Sequence, residues 1–272
     1  MGINVLSLFD GMSCGQIALD RLGIEVDNYY ASEVDKYAMQ IAKKNYRNTI
    51  HVGDVTKVGG PNLLPKIDLL IGGSPCQGFS FAGKQLNFED PRSKLFFEFV
   101  RILDESKPKY FLLENVLMSK KSEDVITEML GVHPIEINSA LVSAQNRRRL
   151  YWTNIPILNL PEDKKIIDKR LLRWSRSTRY PKDGPSYIES RFYSDGKSNT
   201  LLTGKGCTTF SSKTKIIDEA CQLRDLTPIE CERLQTVPDN YTEGVSNTQR
   251  YKMLGNGWTV DVISHIFKGM KL

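Results

Sequence analysis

The chain has 272 residues, 40% hydrophobic and 25% charged, with a formal net charge of +5. That is enough for one large domain, or a large domain and a small one, of ordinary soluble composition. No apolar run approaches the ~20 residues needed to cross a bilayer. Met1-Gly2-Ile3-Asn4-Val5-Leu6 enters a strand-like run with no basic leader, and Leu6 stands where a myristoylation signal prefers Ser or Thr. A cytoplasmic location is therefore expected, with no membrane partner. The five cysteines, Cys14, Cys76, Cys207, Cys221 and Cys231, contain no C-x-x-C pair. That argues against a zinc site and a disulfide framework, so no metal is expected and a reducing interior is.

Taken in order, Asn4–Phe9 reads as a strand and Cys14–Leu22 as a helix ending at Gly23. Asp27–Ser32 is a strand, and an amphipathic helix follows over Asp35–Tyr46. Thr49–Val52 and Ile67–Ile71 are further strands. Leu95–Ser106 is a helix with apolar positions 95, 96, 99, 102 and 103, stopping before Pro108. Tyr110–Leu113 is a strand, residues 122–130 are helical, and Ile135–Leu141 and Leu150–Thr153 are late strands. This alternation predicts an α/β fold: a doubly wound, mostly parallel sheet with helices on both faces. After Asn154 the periodicity weakens, and residues 156–220 are expected to form a small irregular or β-rich unit. Thr227-Pro228-Ile229-Glu230 is a capping box that opens a helix, and a last helix over Thr259–Lys268 is expected to return to the first domain. The expected division is 1–155 with 254–272, then 156–220, with 221–253 as a hinge.

Three strand ends point to a nucleoside. The loop Phe9-Asp10-Gly11-Met12-Ser13-Cys14-Gly15 follows the first strand, but it lacks G-x-G-x-x-G spacing and a phosphate-binding Lys. By itself it is also an ordinary Gly-rich turn. Glu33, after the second strand, is placed to accept from ribose hydroxyls. Asp54, after the third, can accept from an adenine amine. A nucleoside without phosphates is favoured, and S-adenosylmethionine is the commonest such cofactor.

Cys76, in Ser74-Pro75-Cys76-Gln77-Gly78, follows the apolar run Ile67–Ile71. In open α/β sheets ligands bind beyond the carboxyl ends of the strands. A cysteine there is either a small core residue or a nucleophile. Residues 156–215 hold thirteen Lys and Arg against six Asp and Glu, a local +7 that leaves −2 for the rest of the chain. Trp174, Tyr180, Tyr187, Phe192 and Tyr193 are interleaved with them. Such a segment is either a solvated face or a nucleic-acid footprint.

Several motifs in order now resemble the C5-cytosine-specific DNA methyltransferase family. They are the Phe9–Gly15 loop, Pro75-Cys76, Glu114-Asn115-Val116, Gln145-x-Arg147-x-Arg149, the stretches Arg224–Cys231 and Pro238–Tyr241, and Gly255-Asn256-Gly257-Trp258. The resemblance covers nearly all the chain apart from about 157–197. In wording it is most similar to the catalytic domain of animal de novo methyltransferases, in a chain the size of a compact bacterial or phage member. Ser13-Cys14 departs from the third glycine that many members carry.

The resemblance implies a Rossmann-like methyltransferase fold, duplex DNA as partner, and possible action as a monomer. It implies Cys76 as covalent nucleophile, Glu114 as general acid at cytosine N3 and the exocyclic amine, Arg149 on cytosine O2, and Arg147 orienting thiol and base. The implied S-adenosylmethionine site comprises Phe9, Asp10, Gly11, Met12, Ser13, Gly15, Glu33, Val34, Asp54, Val55, Pro75, Leu95, Asn256 and Trp258. Gln77, Ser80, Arg148 and Lys205 are the nucleic-acid contacts, and Gln77–Lys94 is a mobile loop over a flipped base. Residues 156–220 become a target-recognition region whose brevity suggests a short or degenerate site. Two rivals lie within the family. A tRNA-methylating branch usually carries a Cys-Phe-Thr segment, absent here, and a silent regulatory relative lacks the catalytic motifs present here. A nicotinamide-dependent oxidoreductase would explain the sheet but neither Pro75-Cys76 nor the basic unit.

Overall fold

A computed structural model describes residues 2–59, 65–74, 94–179, 187–201, 212–217, 219 and 222–272. Seven strands form one sheet: β1 (Ile3–Leu8), β2 (Val26–Ser32), β3 (Ile50–His51), β4 (Leu69–Gly72), β5 (Tyr110–Val116), β6 (Ile135–Asn138) and β7 (Arg148–Thr153). Their order is β3-β2-β1-β4-β5-β7-β6. The pairs β1–β2, β1–β4, β2–β3 and β4–β5 are parallel, and β5–β7 is antiparallel. Helices α1 (Cys14–Arg21), α2 (Lys36–Asn45), α3 (Lys94–Ser106) and α4 (Lys120–Leu130) connect the strands. The sequence alternation is thus realised as a mostly parallel sheet.

The central strands are apolar on both faces because helices cover both. Leu6, Leu8, Leu70 and Leu113 are fully buried in a cluster with Phe96, Phe99 and Ile102 of α3 and Ile126 of α4. The spacing 96, 99, 102 is one helical stripe, so α3 turns its other side to solvent. Trp152 of β7 is fully buried and donates Nε1–H to Thr127 Oγ1 at 3.0 Å. The last helix, α7 (Val260–Phe267), packs on α1: Ser264 Oγ donates to the Ala18 carbonyl at 3.4 Å, and Arg21 pairs with Asp261.

The chain divides into two compact units. The first comprises Met1–Ile137, Arg148–Leu160 and Val260–Leu272; the second comprises Asn138–Arg147 and Pro161–Thr259. This differs from the expected division over four stretches. Residues 138–147 and 254–259 fall in the second unit, residues 156–160 stay in the first, and the expected hinge at 221–253 is an integral part of the second. The physical reason lies in buried side chains. Gln145, fully buried, donates to the Leu234 carbonyl at 3.2 Å and accepts from Leu201 N–H at 3.2 Å. Gln235 donates to the carbonyls of Leu254 at 2.7 Å and Gly257 at 3.1 Å. These polar groups need partners once buried, and their partners tie segments distant in sequence into one body.

The second unit carries an antiparallel sheet, β11-β10-β8-β9, of β8 (Leu171–Arg179), β9 (Tyr187–Tyr193), β10 (Ser212–Ile217) and β11 (Leu223–Arg224). Its helices are α5 (Pro228–Leu234) and α6 (Asn247–Asn256). The capping box at α5 forms as read. Glu230 N–H donates to Thr227 Oγ1 at 3.3 Å, and Thr227 N–H donates to Glu230 at 2.7 Å. Glu232 of α5, fully buried, accepts from Arg250 of α6 at 3.0 Å and from the Asn240 and Thr242 amides at 2.7 and 2.9 Å.

Candidate active site

The turn between β1 and α1 is bent by three left-handed residues in five positions: Phe9 (φ 57°), Gly11 (φ 59°) and Ser13 (φ 63°). Left-handed non-glycine residues store strain, and such residues gather at ligand sites. The nearest heavy atom to a Cβ added at Gly11 is the Phe9 carbonyl at 4.0 Å, so glycine serves the backbone angle here while its outer side stays open. Glu33 braces the turn. One carboxylate oxygen accepts from Gly11 N–H at 2.8 Å, and the other from Val34 N–H at 2.7 Å and Asp35 N–H at 2.8 Å.

Val34 beside it is an aliphatic side chain left 72% exposed. Asp54 is exposed and caps a 3-10 turn over Val55–Lys57, accepting from the Thr56 amide at 2.9 Å. These bonds hold its carboxyl below the usual range, so Asp54 is a ready acceptor. An open left-handed turn, an exposed apolar side chain and an ionised acceptor on β1, β2 and β3 fit a nucleoside without phosphate. They are the described residues that could hold such a group.

Other expected cofactor residues turn inward. The side chains of Met12 and Val55 are buried in the core, which leaves only their backbone to face a ligand. A Cβ at Gly15 would lie 2.4 Å from Ile71 Cδ1 and 2.8 Å from the Tyr29 hydroxyl, so this glycine lets α1 sit close to the sheet. Leu95 is half-buried against the cluster around α3. Asn256 and Trp258 lie in the second unit; Asn256 is exposed and Trp258 is 9% exposed.

Asp10 also turns inward: its carboxylate accepts from the Tyr29 hydroxyl at 2.8 Å and from Ser13 Oγ. Burial, opposed by bonds from Ser13, Ser7 and Tyr29, raises its pKa to about 6. The folded protein therefore keeps a proton that the unfolded chain loses near the ordinary carboxyl value of 3.8. The stability from this group, roughly 3 kcal/mol, is fully present below that value and lost as pH rises through about 6. Asp10→Asn removes this dependence. Its Tm relative to the parent is expected to rise by roughly 5–10 °C between pH 4 and pH 7.5 in thermal unfolding. An offset that stays constant across that range would contradict the assignment.

At the far end of β5, Glu114 pairs with Arg149 Nε at 2.9 Å, with side-chain exposures of 11% and 12%. The antiparallel course of β7 makes this possible. Its N-terminal residues lie at the carboxyl end of β5, with Arg149 opposite Val116 and Tyr151 opposite Glu114. Arg149 thus stands one diagonal step from Glu114 on the same pair of strands. Asn115, buried, donates Nδ2–H to Ser74 Oγ at 3.2 Å, which ties the end of β5 to the segment leaving β4. Ser74 and Asn115 were not among the expected site residues; a buried Ser–Asn bond between neighbouring strands leaves no trace in local sequence.

Pro75, Cys76, Gln77 and Ser80 follow at once and lie outside the described residues, as does Lys205. Most of the expected loop Gln77–Lys94 lies there too. The motif Gln145-x-Arg147-x-Arg149 straddles the two units. Arg147, 3% exposed, donates to the carbonyls of Leu201 (3.3 Å), Gly255 (3.2 Å) and Gly257 (3.0 Å). These bonds are internal to the second unit and make Arg147 an organiser of its backbone; the thiol of Cys76, which Arg147 is expected to orient, lies outside the described residues. Exposed Arg148 donates Nη2–H to Glu136 at 2.8 Å, so a phosphate there would compete with an ion pair.

A doubly wound sheet with a nucleoside-fitting edge and an acid–arginine pair at adjacent strand ends defines a methyltransferase architecture. The sequence pattern of the C-5 cytosine-specific DNA methylases matches residues 3–156 and 158–272, and the chain belongs to that family. The type II methyltransferase M1.ScrFI of Lactococcus lactis subsp. cremoris is 32% identical over 98% of this chain and 77% of its own length. The type II methyltransferase M.HhaI of Haemophilus parahaemolyticus is 28% identical over 97% of this chain and 93% of its own. The solved structure of the Entamoeba histolytica methyltransferase EhMeth matches with a TM-score of 0.75 at 18% identity, covering 99% of this chain and 98% of that one, a likeness of fold. Among the described residues no helix is long and apolar enough to cross a membrane, and no group of three or more His, Cys, Asp or Glu could hold a metal ion.

Proposed function

We propose that this protein methylates C5 of cytosine in duplex DNA through a transient covalent bond from Cys76. The observation that carries the reading is the Glu114–Arg149 pair at the carboxyl end of β5, beside the segment that leads through Ser74 to Pro75-Cys76. S-adenosylmethionine supplies the methyl group, carried on a sulfonium that a carbon nucleophile can take. Phe9, Gly11, Glu33, Val34 and Asp54 are the residues proposed to hold it.

Cytosine C5 is a poor nucleophile. Addition of the Cys76 thiolate at C6 makes the ring an enamine and raises electron density on C5. Glu114 as an acid at N3 and the exocyclic amine relieves the negative charge that the addition places on the ring. Arg149 holds that carboxyl in place and is the proposed donor to O2. After C5 is methylated, a base takes its proton, the electron pair returns to the ring, and Cys76 departs. A duplex hides C6, so the target base must leave the stack first. Residues 156–220, which carry the chain's basic excess and include β8, β9 and β10, are the proposed target-recognition region. Arg148 and Lys205 are proposed to meet phosphates rather than bases.

Incubation with methyl-labelled S-adenosylmethionine and either duplex DNA or total tRNA tests the substrate. Label is expected in DNA, at a short site by bisulfite sequencing. Label confined to tRNA would replace this reading with the RNA-methylating rival. A site of six or more fixed bases would contradict the expected brevity.

A further inference from the structure

The solvent side of α3 carries a guanidinium that works on the cofactor edge of the sheet. Arg101 Nε and Nη2 donate to Glu98, one helical turn before it, at 2.9 and 2.7 Å. Its Nη1 donates to both oxygens of Glu105, one turn after it, at 3.0 and 3.1 Å. Two carboxylates of its own helix therefore fix the plane of the fork. Held so, Nη2 also donates to the carbonyls of Val55 at 3.2 Å and Val58 at 2.6 Å. Those carbonyls begin and follow the 3-10 turn that Asp54 caps.

A second feature closes the clamp. The chain passes over it at Gly59 (φ 126°), where a Cβ would lie 2.3 Å from Glu105 Oε2 and 2.4 Å from Arg101 Nη1. A three-residue turn has few hydrogen bonds of its own, so its orientation depends on what grips its carbonyls. Lysine cannot take the place of arginine here, because four acceptors around one plane need a rigid fork.

We propose that the Arg101–Glu98–Glu105 clamp, closed over by Gly59, positions the Asp54–Val55 backbone for the adenine of the cofactor. Arg101 is a positioning residue that acts through the turn without touching the ligand. The inference rests on the reading of Asp54 as the adenine acceptor, and its test separates the two.

Affinity for S-adenosylhomocysteine is measured by calorimetry for R101Q, D54A and the double variant, with kcat and cofactor KM for R101Q. Each single change is expected to raise Kd about tenfold, the cost of losing charged or oriented hydrogen bonds. The double variant should be no weaker than the weaker single one, since both act through one turn. R101Q should raise cofactor KM in step with Kd and leave kcat within about twofold. R101K should not restore affinity. Effects that multiply in the double variant overturn the clamp, as does R101Q lowering kcat and Tm with Kd unchanged. Should D54A itself leave Kd unchanged, the adenine reading fails and the clamp inference with it. Should R101Q fail to fold, G59A, whose methyl would press on the fork, is expected to raise Kd in the same way; unchanged affinity in G59A would then overturn the proposal.

Discussion

Cys76→Ser is expected to abolish methyl transfer to duplex DNA while leaving cofactor and DNA affinity near the parent's. The hydroxyl of serine is almost wholly protonated near neutral pH, whereas a cysteine is partly thiolate and intrinsically far more nucleophilic. The expected loss is at least about 10⁴-fold in kcat, because the step removed is covalent addition itself and not a contribution to binding. Three measurements define the result: label transfer from S-adenosylmethionine, DNA binding by mobility shift, and trapping on duplex DNA containing 5-fluorocytosine. Fluorine at C5 cannot leave as a proton does, so the parent protein should remain covalently attached and the variant should not. Turnover by the variant would sink the mechanism. Failure of the parent to trap would favour the catalytically silent rival.

Glu114→Gln separates chemistry from architecture. Gln keeps the shape and an acceptor but cannot give a proton, so kcat is expected to fall by about 10²–10⁴ with little change in cofactor KM. The same change leaves Arg149 without its carboxylate at 12% side-chain exposure. Breaking a buried pair costs about 3–5 kcal/mol, and residual solvent access should keep this one at or below the lower figure. Arg149→Ala is expected to cost stability as well, because it removes the cation paired with this largely buried acid. Thermal unfolding beside single-turnover rates distinguishes the two losses. A Glu114→Gln protein with unaltered kcat would remove Glu114 from the chemistry and leave it a structural partner of Arg149.

The sheet was legible because its cause is local. Runs such as Leu69-Leu70-Ile71 and Phe111-Leu112-Leu113 are apolar on both faces, which only a strand covered by helices on both sides requires. The capping box at Thr227 was readable for the same reason, since both its bonds lie within four residues. Glu33 falls after β2 as read, but its bond to Gly11 N–H, twenty-two residues away, could not be read from local sequence.

Other features depend on groups that meet only after folding. Nothing near Gln145 announces that its partners are Leu201 and Leu234, so the boundary of the second unit was not readable there. Asp10 and Ser13 sit in a loop that reads as ligand-facing, yet Tyr29 draws the carboxylate inward. The two arginines flanking Arg148 have identical side chains and divergent surroundings. Arg149 meets Glu114 across the strand pair of the first unit, and Arg147 meets three carbonyls of the second unit, to which it belongs.

By itself the sequence determined the architecture and the residues on offer: a parallel sheet from apolar runs, a glycine loop and two acids at successive strand ends, and a cysteine after β4. Periodicity and turn chemistry act over a few residues, so they survive in one dimension. The tertiary structure alone decided which polar groups are used by the fold and which are left to face a ligand. Burial obliges every donor and acceptor to find a partner, and that partner is chosen by packing across the chain, as with Arg101 reaching from α3 to grip the turn at Asp54.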